Sequence, residues 1–296
     1  MKEIVVVSGK GGTGKTSITA SFAVLAKGKA VLADCDVDAA DLHLVMRPEV
    51  RKVSEFRSGF KAQIRMDDCT GCGKCYSLCR FDAINKNGSE EKQVFRIDPA
   101  ACEGCGVCFR FCPAGAVDFE EEKCGEWFIS ESRTGPMVHA RLGVAAENSG
   151  RLVTLVRNQA RRIAEEKNTD MILIDGSPGI GCPVIASLTG TDLAVIVTEP
   201  TVSGLHDIER IAELTKKLHV PAVVCVNRWD INPETAEKIR ETSSDHKLFF
   251  GGNVCYDTSV TRAQRQQLSV VEYTEGGVAE DVKKLWNTVM EHARLQ

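Results

Sequence analysis

The chain has few aromatic residues, no excess of positive charge and no long apolar run. Phe, Trp and Tyr make up 6% of its 296 residues, too few for the stacking platforms on which single-stranded nucleic acid rests. Lys and Arg number 37 against 41 Asp and Glu, a formal charge of −4. A surface that binds phosphate backbones needs a basic excess, so the balance argues against nucleic acid as a partner. No apolar stretch approaches the length of a membrane span. The run "IVVV" after Met1 is too short and too strand-like for an export signal, so the expected location is the cytoplasm. In that reducing compartment, 13 cysteines point to metal binding or thiol chemistry and not to disulfides.

What is present has two grammars. "EIVVVS" at 3–8 reads as a strand, "SITASFAVLAKG" as a helix ending near Gly28, and "KAVLADCD" as a second buried strand. Strand, loop, helix, strand is the opening of a parallel α/β sheet. The pattern returns after residue 150: "DMILIDGS", "LAVIVTEP" and "PAVVCVNR" read as strands, with the helix "GLHDIERIAELTKKL" between the last two. Val278, Val282, Leu285, Val289 and Ala293 share one face of a final helix. Residues 64–119 differ, with short segments, clustered Cys and Gly, and an internal repeat. The expected organisation is one α/β domain, residues 1–63 and 120–296, interrupted by a small inserted domain at 64–119. Residues 133–150, with His139 and Asn148, read as a long loop rejoining the sheet.

"GKGGTGKT" at 9–16 fits the phosphate-loop pattern GxxxxGK(S/T) between a strand and a helix. Gly9, Gly11, Gly12 and Gly14 let backbone N–H groups turn inward around phosphates, with Lys10, Thr13 and Ser17 completing the loop. Lys15 neutralises the outer phosphates and the Thr16 hydroxyl suits Mg²⁺. Lys10, directly after the first Gly, gives a form that resembles the deviant phosphate loop of the MinD/ParA family of ATPases, to which the nitrogenase iron protein is related. The resemblance implies a P-loop fold with a mostly parallel sheet, ATP and Mg²⁺ as ligands, and a dimer in which Lys10 reaches the partner's nucleotide. A positive charge that arrives only on closure serves as an arginine finger does. Lys10, Lys15 and Asp36 are the expected catalytic residues.

Asp34, Asp36, Asp38 and Asp41 follow the second strand. By the same resemblance Asp36 positions the attacking water or the metal shell. Asp38 and Asp41 read equally well as caps or solvated acids. Asp175, ending the strand in "ILIDGSPG", is expected to hold Mg²⁺ through water. This segment resembles the family's D-x-P-x-G with one residue inserted before Pro178. Asn227, in "CVNRW", matches the family's adenine-binding Asn.

"CTGCGKCYSLC" at 69–79 and "CEGCGVCFRFC" at 102–112 are two copies of C-x2-C-x2-C-x3-C. Two C-x2-C pairs can hold zinc, but a third and fourth cysteine in each run are surplus to it. The pair of runs resembles the bacterial two-cluster ferredoxin, an α+β domain in which the fourth cysteine of each run ligates the other cluster. That resemblance assigns Cys69, Cys72, Cys75 and Cys112 to one 4Fe-4S cluster, and Cys102, Cys105, Cys108 and Cys79 to the second. Arg80 stands where the pattern has Pro, as Pro113 does in the second run. Cys35 and Cys225 read as core residues. Cys182 has the offset from Asp175 of the cysteine that holds a bridging cluster in the nitrogenase iron protein, with Cys124 the nearest second ligand.

Joined, the two grammars suggest a dimeric ATP switch, with itself or a paralogue, that couples ATP turnover to low-potential electron transfer or to metallocluster assembly on a client. The alternatives are an iron–sulfur scaffold or carrier and a positioning ATPase of the MinD/ParA type. The mixed charge of the final helix argues against membrane cycling.

Overall fold

The computed structural model of the chain describes residues 1–89, 92–143 and 149–294. In chain order the strands are β1 (Lys2–Ser8), β2 (Ala30–Asp34), β3 (Glu49–Ile64), β4 (Ile84–Ser89), β5 (Lys92–Ile97), β6 (Val117–Ser132), β7 (Gly135–Leu142), β8 (Met171–Pro178), β9 (Leu193–Thr198), β10 (Ala222–Asn227) and β11 (Phe249–Val254). The helices are α1 (Lys15–Leu25), α2 (Leu42–Met46), α3 (Lys74–Leu78), α4 (Val107–Arg110), α5 (Ser149–Glu166), α6 (Cys182–Leu188), α7 (Val202–Lys217), α8 (Pro233–Asp245), α9 (Ser259–Arg265), α10 (Val270–Tyr273) and α11 (Val278–Arg294). Two compact units result: Met1–Ser54, Glu126–Val144 and Ser149–Gln296 form the larger, and Glu55–Gly125 most of the smaller.

The sheet runs in the order β11-β10-β9-β1-β8-β2-β7-β6-β3. The pairs from β11 to β7 are parallel. Central strands β1, β8 and β9 are buried on both faces, which is why they read as unbroken Val/Ile/Leu runs. Phe22 of α1 is fully buried and lies 5.0 Å from Trp286 of α11; burying such a side chain contributes about 1.5–3 kcal/mol. Val278, Val282, Leu285 and Val289 of α11 join the same core. The apolar face of the last helix is therefore spent on the chain's own sheet. Among the described residues no helix is long and apolar enough to cross a membrane.

Residues 133–150 correct the sequence reading. Gly135–Leu142 is not loop but β7, buried along Pro136–Ala140 and paired with β2. A two-residue turn joins it to β6, the connection of an antiparallel pair. Gly and Pro at the start of the segment mark that turn and the strand's first residues, where neither breaks the ladder. Asn148 lies outside the described residues.

In the smaller unit β4 and β5 pair antiparallel. Ala62, Ile64, Ile84, Phe95 and Val117 make its core. Helices α3 and α4 each follow a left-handed glycine, Gly73 at φ 70° and Gly106 at φ 72°. The repeats are equivalent in packing too: a Cβ on Gly73 would meet the Phe95 ring at 3.2 Å, and one on Gly106 the Phe119 ring at 3.1 Å.

Candidate functional site

A cleft of about 600 Å³ in the larger unit is lined by Gly11–Ile18, Asp36, Asn227, Arg228, Tyr256 and Asp257, among others. It lies at the carboxyl ends of the parallel strands, where such sheets bind ligands. The loop between β1 and α1 turns with Gly12 at φ 82° and Gly14 at φ 92°, conformations costly for any side chain. At Gly14 a Cβ would also stand 2.4 Å from Asn227 Nδ2.

The acids converge beneath this loop. Lys15 Nζ lies 3.1 Å from Asp36 Oδ2 and 3.2 Å from Asp175 Oδ1. Thr16 Oγ1 donates to Asp175 Oδ2 at 2.7 Å, and Thr19 Oγ1 to Asp175 Oδ1 at 3.0 Å. Asp34 is wholly buried and accepts from the backbone N–H groups of Asp36 and Leu42. Burial alone would lower the Lys15 ammonium; the carboxylates of Asp175 and Asp36 reverse this and hold it above the ordinary lysine range. Burial and the charge of Asp175 push Asp34 well above the usual carboxylate range. Burial raises Asp36 as well, against the pull of Lys15. Asp38 and Asp41 are exposed, though Asp41 lines the cleft mouth.

The residue inserted before Pro178 is a bulge. Val6 pairs with Asp175 and Ser8 with Pro178, so β8 spends one more residue than β1 over that interval. A Cβ on Gly176 would meet Val6 O at 2.9 Å, and Ser177 Oγ donates to Cys35 O at 2.7 Å. The bulge leaves Asp175 in register beside Lys15.

Asn227 lines the cleft and donates from Nδ2 to Thr13 O at 2.7 Å. Lys10 Nζ lies 3.2 Å from Glu199 Oε2 and within 3.4 Å of the Thr201 and Ser203 hydroxyls. Glu199 also pairs with Arg228. Sequence reading missed Glu199 and Arg228, although an acid directly after an apolar strand was the signal used for Asp34 and Asp175.

In the smaller unit the cysteines sort into two cavities. Cys69, Cys72, Cys75 and Cys112 line one, with Ile64 and Phe95. Cys79, Cys102, Cys105 and Cys108 line the other, with Ala62 and Ile84. Each run sends its fourth cysteine to the other run's cavity. Ala116 N–H donates to Cys112 Sγ at 3.3 Å. Among the described residues no three His, Cys, Asp or Glu side chains are grouped to hold a single metal ion. Cys35 and Cys225 are buried, and Cys182 is exposed at the first turn of α6. Cys124 does not suit a second ligand beside Cys182: it is buried, with its thiol donated to Ser58 O at 2.9 Å.

A family model described as "CobQ/CobB/MinD/ParA nucleotide binding domain" matches residues 4–270. An uncharacterised protein of Methanocaldococcus jannaschii is 31% identical over 98% of this chain and 96% of its own. MinD of Pyrococcus horikoshii, solved with Mg-ADP, superposes with a TM-score of 0.59 at 20% identity, covering 99% of this chain and 98% of its own. A MinC:MinD complex from Aquifex aeolicus gives 0.59 at 18%, over 98% and 96%. A phosphate loop on a parallel sheet, with acids converging beneath it, agrees with these matches: the chain belongs to the CobQ/CobB/MinD/ParA family of nucleotide-binding domains, on an α/β P-loop fold.

Proposed function

We propose that the chain is a Mg²⁺-dependent ATPase switch of the MinD/ParA type whose smaller unit holds two 4Fe-4S clusters, and that it couples nucleotide turnover to electron delivery or to metallocluster assembly on a client. The observation that carries the cluster reading is the sorting of eight cysteines into two cavities, four to each, in the crossed pattern of two-cluster ferredoxins. The donor set fits the group: cysteine thiols packed on apolar side chains, left-handed glycines permitting the wrap, and a backbone N–H directed at one sulfur. Such clusters, when bound, supply one-electron storage.

In the larger unit this chain's own groups do the positioning. Backbone N–H groups of the loop would donate to phosphate oxygens, and Thr16 and Asp175, 2.7 Å apart, would hold Mg²⁺. Lys15 swings from the carboxylates to the outer phosphates. Asp36 orients the attacking water. Lys10, released from Glu199, brings positive charge to the partner's nucleotide. Asn227 turns from Thr13 O to the base.

A second reading, a positioning ATPase, draws on the solved neighbours, a septum site-determining protein and a cell-division complex, and they speak for it more directly than for the first. At under 25% identity they support the fold alone. Anaerobic purification followed by iron and sulfide analysis separates the two. About eight irons per chain, unchanged in Cys182→Ala and lost with the runs' cysteines, supports the cluster reading; an iron-free chain with full ATP turnover sinks it.

A further inference from the structure

Helices α3 and α4, which carry cysteines of both cavities, pack on one another. Their outer face is aromatic. Tyr76, Phe109 and Phe111 are 50%, 51% and 50% exposed. Two of them are held from beneath: Tyr76 lies 5.8 Å from Phe95, and Phe109 5.6 Å from Phe119. Half-exposed aromatics with fixed rings are the usual anchors of an interface, because little side-chain entropy is lost on contact.

The segments that carry these rings are positive in a chain whose net charge is −4. Lys74, Arg80 and Arg110 are exposed. Lys74 Nζ stands 5.9 Å from the Phe111 ring centre, tying the two runs into one surface. Residues 72–81 and 104–117 contain no Asp or Glu. Asp82 and Glu103 stand just outside them, and Asp68 is spent on Arg65 at 2.7 Å.

We infer that the α3–α4 face docks an acidic one-electron carrier protein. The inference rests on the cluster reading above. Arg and aromatic anchors directly over the cysteines bring the carrier to the cavities, and charge complementarity steers the encounter. One electron passes from the carrier's reduced cofactor to a cluster; no bond forms and no proton moves.

The test uses the full chain with its clusters and an acidic flavodoxin in the anionic hydroquinone state, which is left as the neutral semiquinone. Stopped-flow absorbance reads transfer, and anisotropy of dye-labelled flavodoxin reads docking without chemistry. Binding and transfer are expected to weaken about tenfold or more between low and moderate salt. An Arg80→Glu/Arg110→Glu variant is expected to lose a further tenfold, roughly, with iron content unchanged. Salt-independent binding, or a charge-reversed variant that binds as wild type does, overturns the docking surface while leaving the clusters standing. Tighter binding of a single-stranded oligonucleotide than of flavodoxin overturns the carrier as occupant. A chain without iron removes the cluster reading and the carrier together.

Discussion

The ammonium of Lys15 stands 3.2 Å from Oδ1 of Asp175, so the lysine proposed for phosphate is paired with the carboxylate proposed for the metal. Both groups are buried, with side chains 6% and 0% exposed. On the proposed roles, drawing Lys15 away to phosphate leaves the buried Asp175 charge for Mg²⁺ to compensate, whereas Mg²⁺ at Asp175 leaves Lys15 still paired with Asp36 at 3.1 Å.

Asp175→Asn divides these effects. It is expected to tighten ATP binding in the presence of chelator by roughly tenfold, because Lys15 is less firmly held. Mg²⁺-dependent turnover is expected to fall on the order of a hundredfold or more. Equilibrium binding with and without Mg²⁺, beside steady-state turnover, checks both. Unchanged binding in chelator would show that the pair does not restrain Lys15.

His139 supplies a pH prediction. It is buried in β7, stacked 4.8 Å from Phe128 and 5.8 Å from His43, with Ser130 Oγ 2.9 Å from Nε2. Burial, then the neighbouring His43, lowers its pKa to about 4. Its folded value lies below the unfolded value of about 6.5. The stability it contributes is therefore complete above that pH and is lost as pH falls toward 4, a loss on the order of 3 kcal/mol. Urea unfolding of wild type and His139→Phe between about pH 7 and 4 is expected to show a steeper fall for wild type. Parallel curves would mean that His139 protonates freely in the fold.

The crossed arrangement of the cysteines is testable separately from their capacity for iron. Cys79 belongs to the first run in sequence but lines the cavity of Cys102, Cys105 and Cys108. Cys79→Ser is expected to perturb the same electron paramagnetic resonance signal as Cys102→Ser, and Cys112→Ser the same signal as Cys69→Ser. Grouping by run instead would contradict the crossed ligation.

The sheet's centre was legible because its chemistry is local. Buried parallel strands are unbroken apolar runs, and a phosphate loop must carry glycines where φ is positive. Helix α5 was missed, although its apolar residues recur at helical spacing. Its apolar face, with Leu152, Val153, Val156 and Ala160, also buries Arg157, whose guanidinium lies 2.5 Å from Glu3 and donates to the carbonyls of Ala186 and Thr189. What the helical pattern does not show is the partner of that buried charge, 154 positions away. Strand β3 escaped for a related reason: its neighbour in the sheet, β6, is distant in sequence, and β3 buries only occasional residues. At the site, the residues of the loop and strand ends followed from pattern. The hold of Glu199 on Lys10 did not, since it depends on where β9 ends beside β1.

The most direct test of coupling is anaerobic ATP turnover with the clusters oxidised and then reduced, in wild type and in Lys10→Ala. Coupling predicts a rate that changes with cluster state in wild type and a loss on the order of a thousandfold without Lys10. A rate indifferent to cluster state, with Lys10→Ala still active, would contradict both the in-trans lysine and the link between the two units.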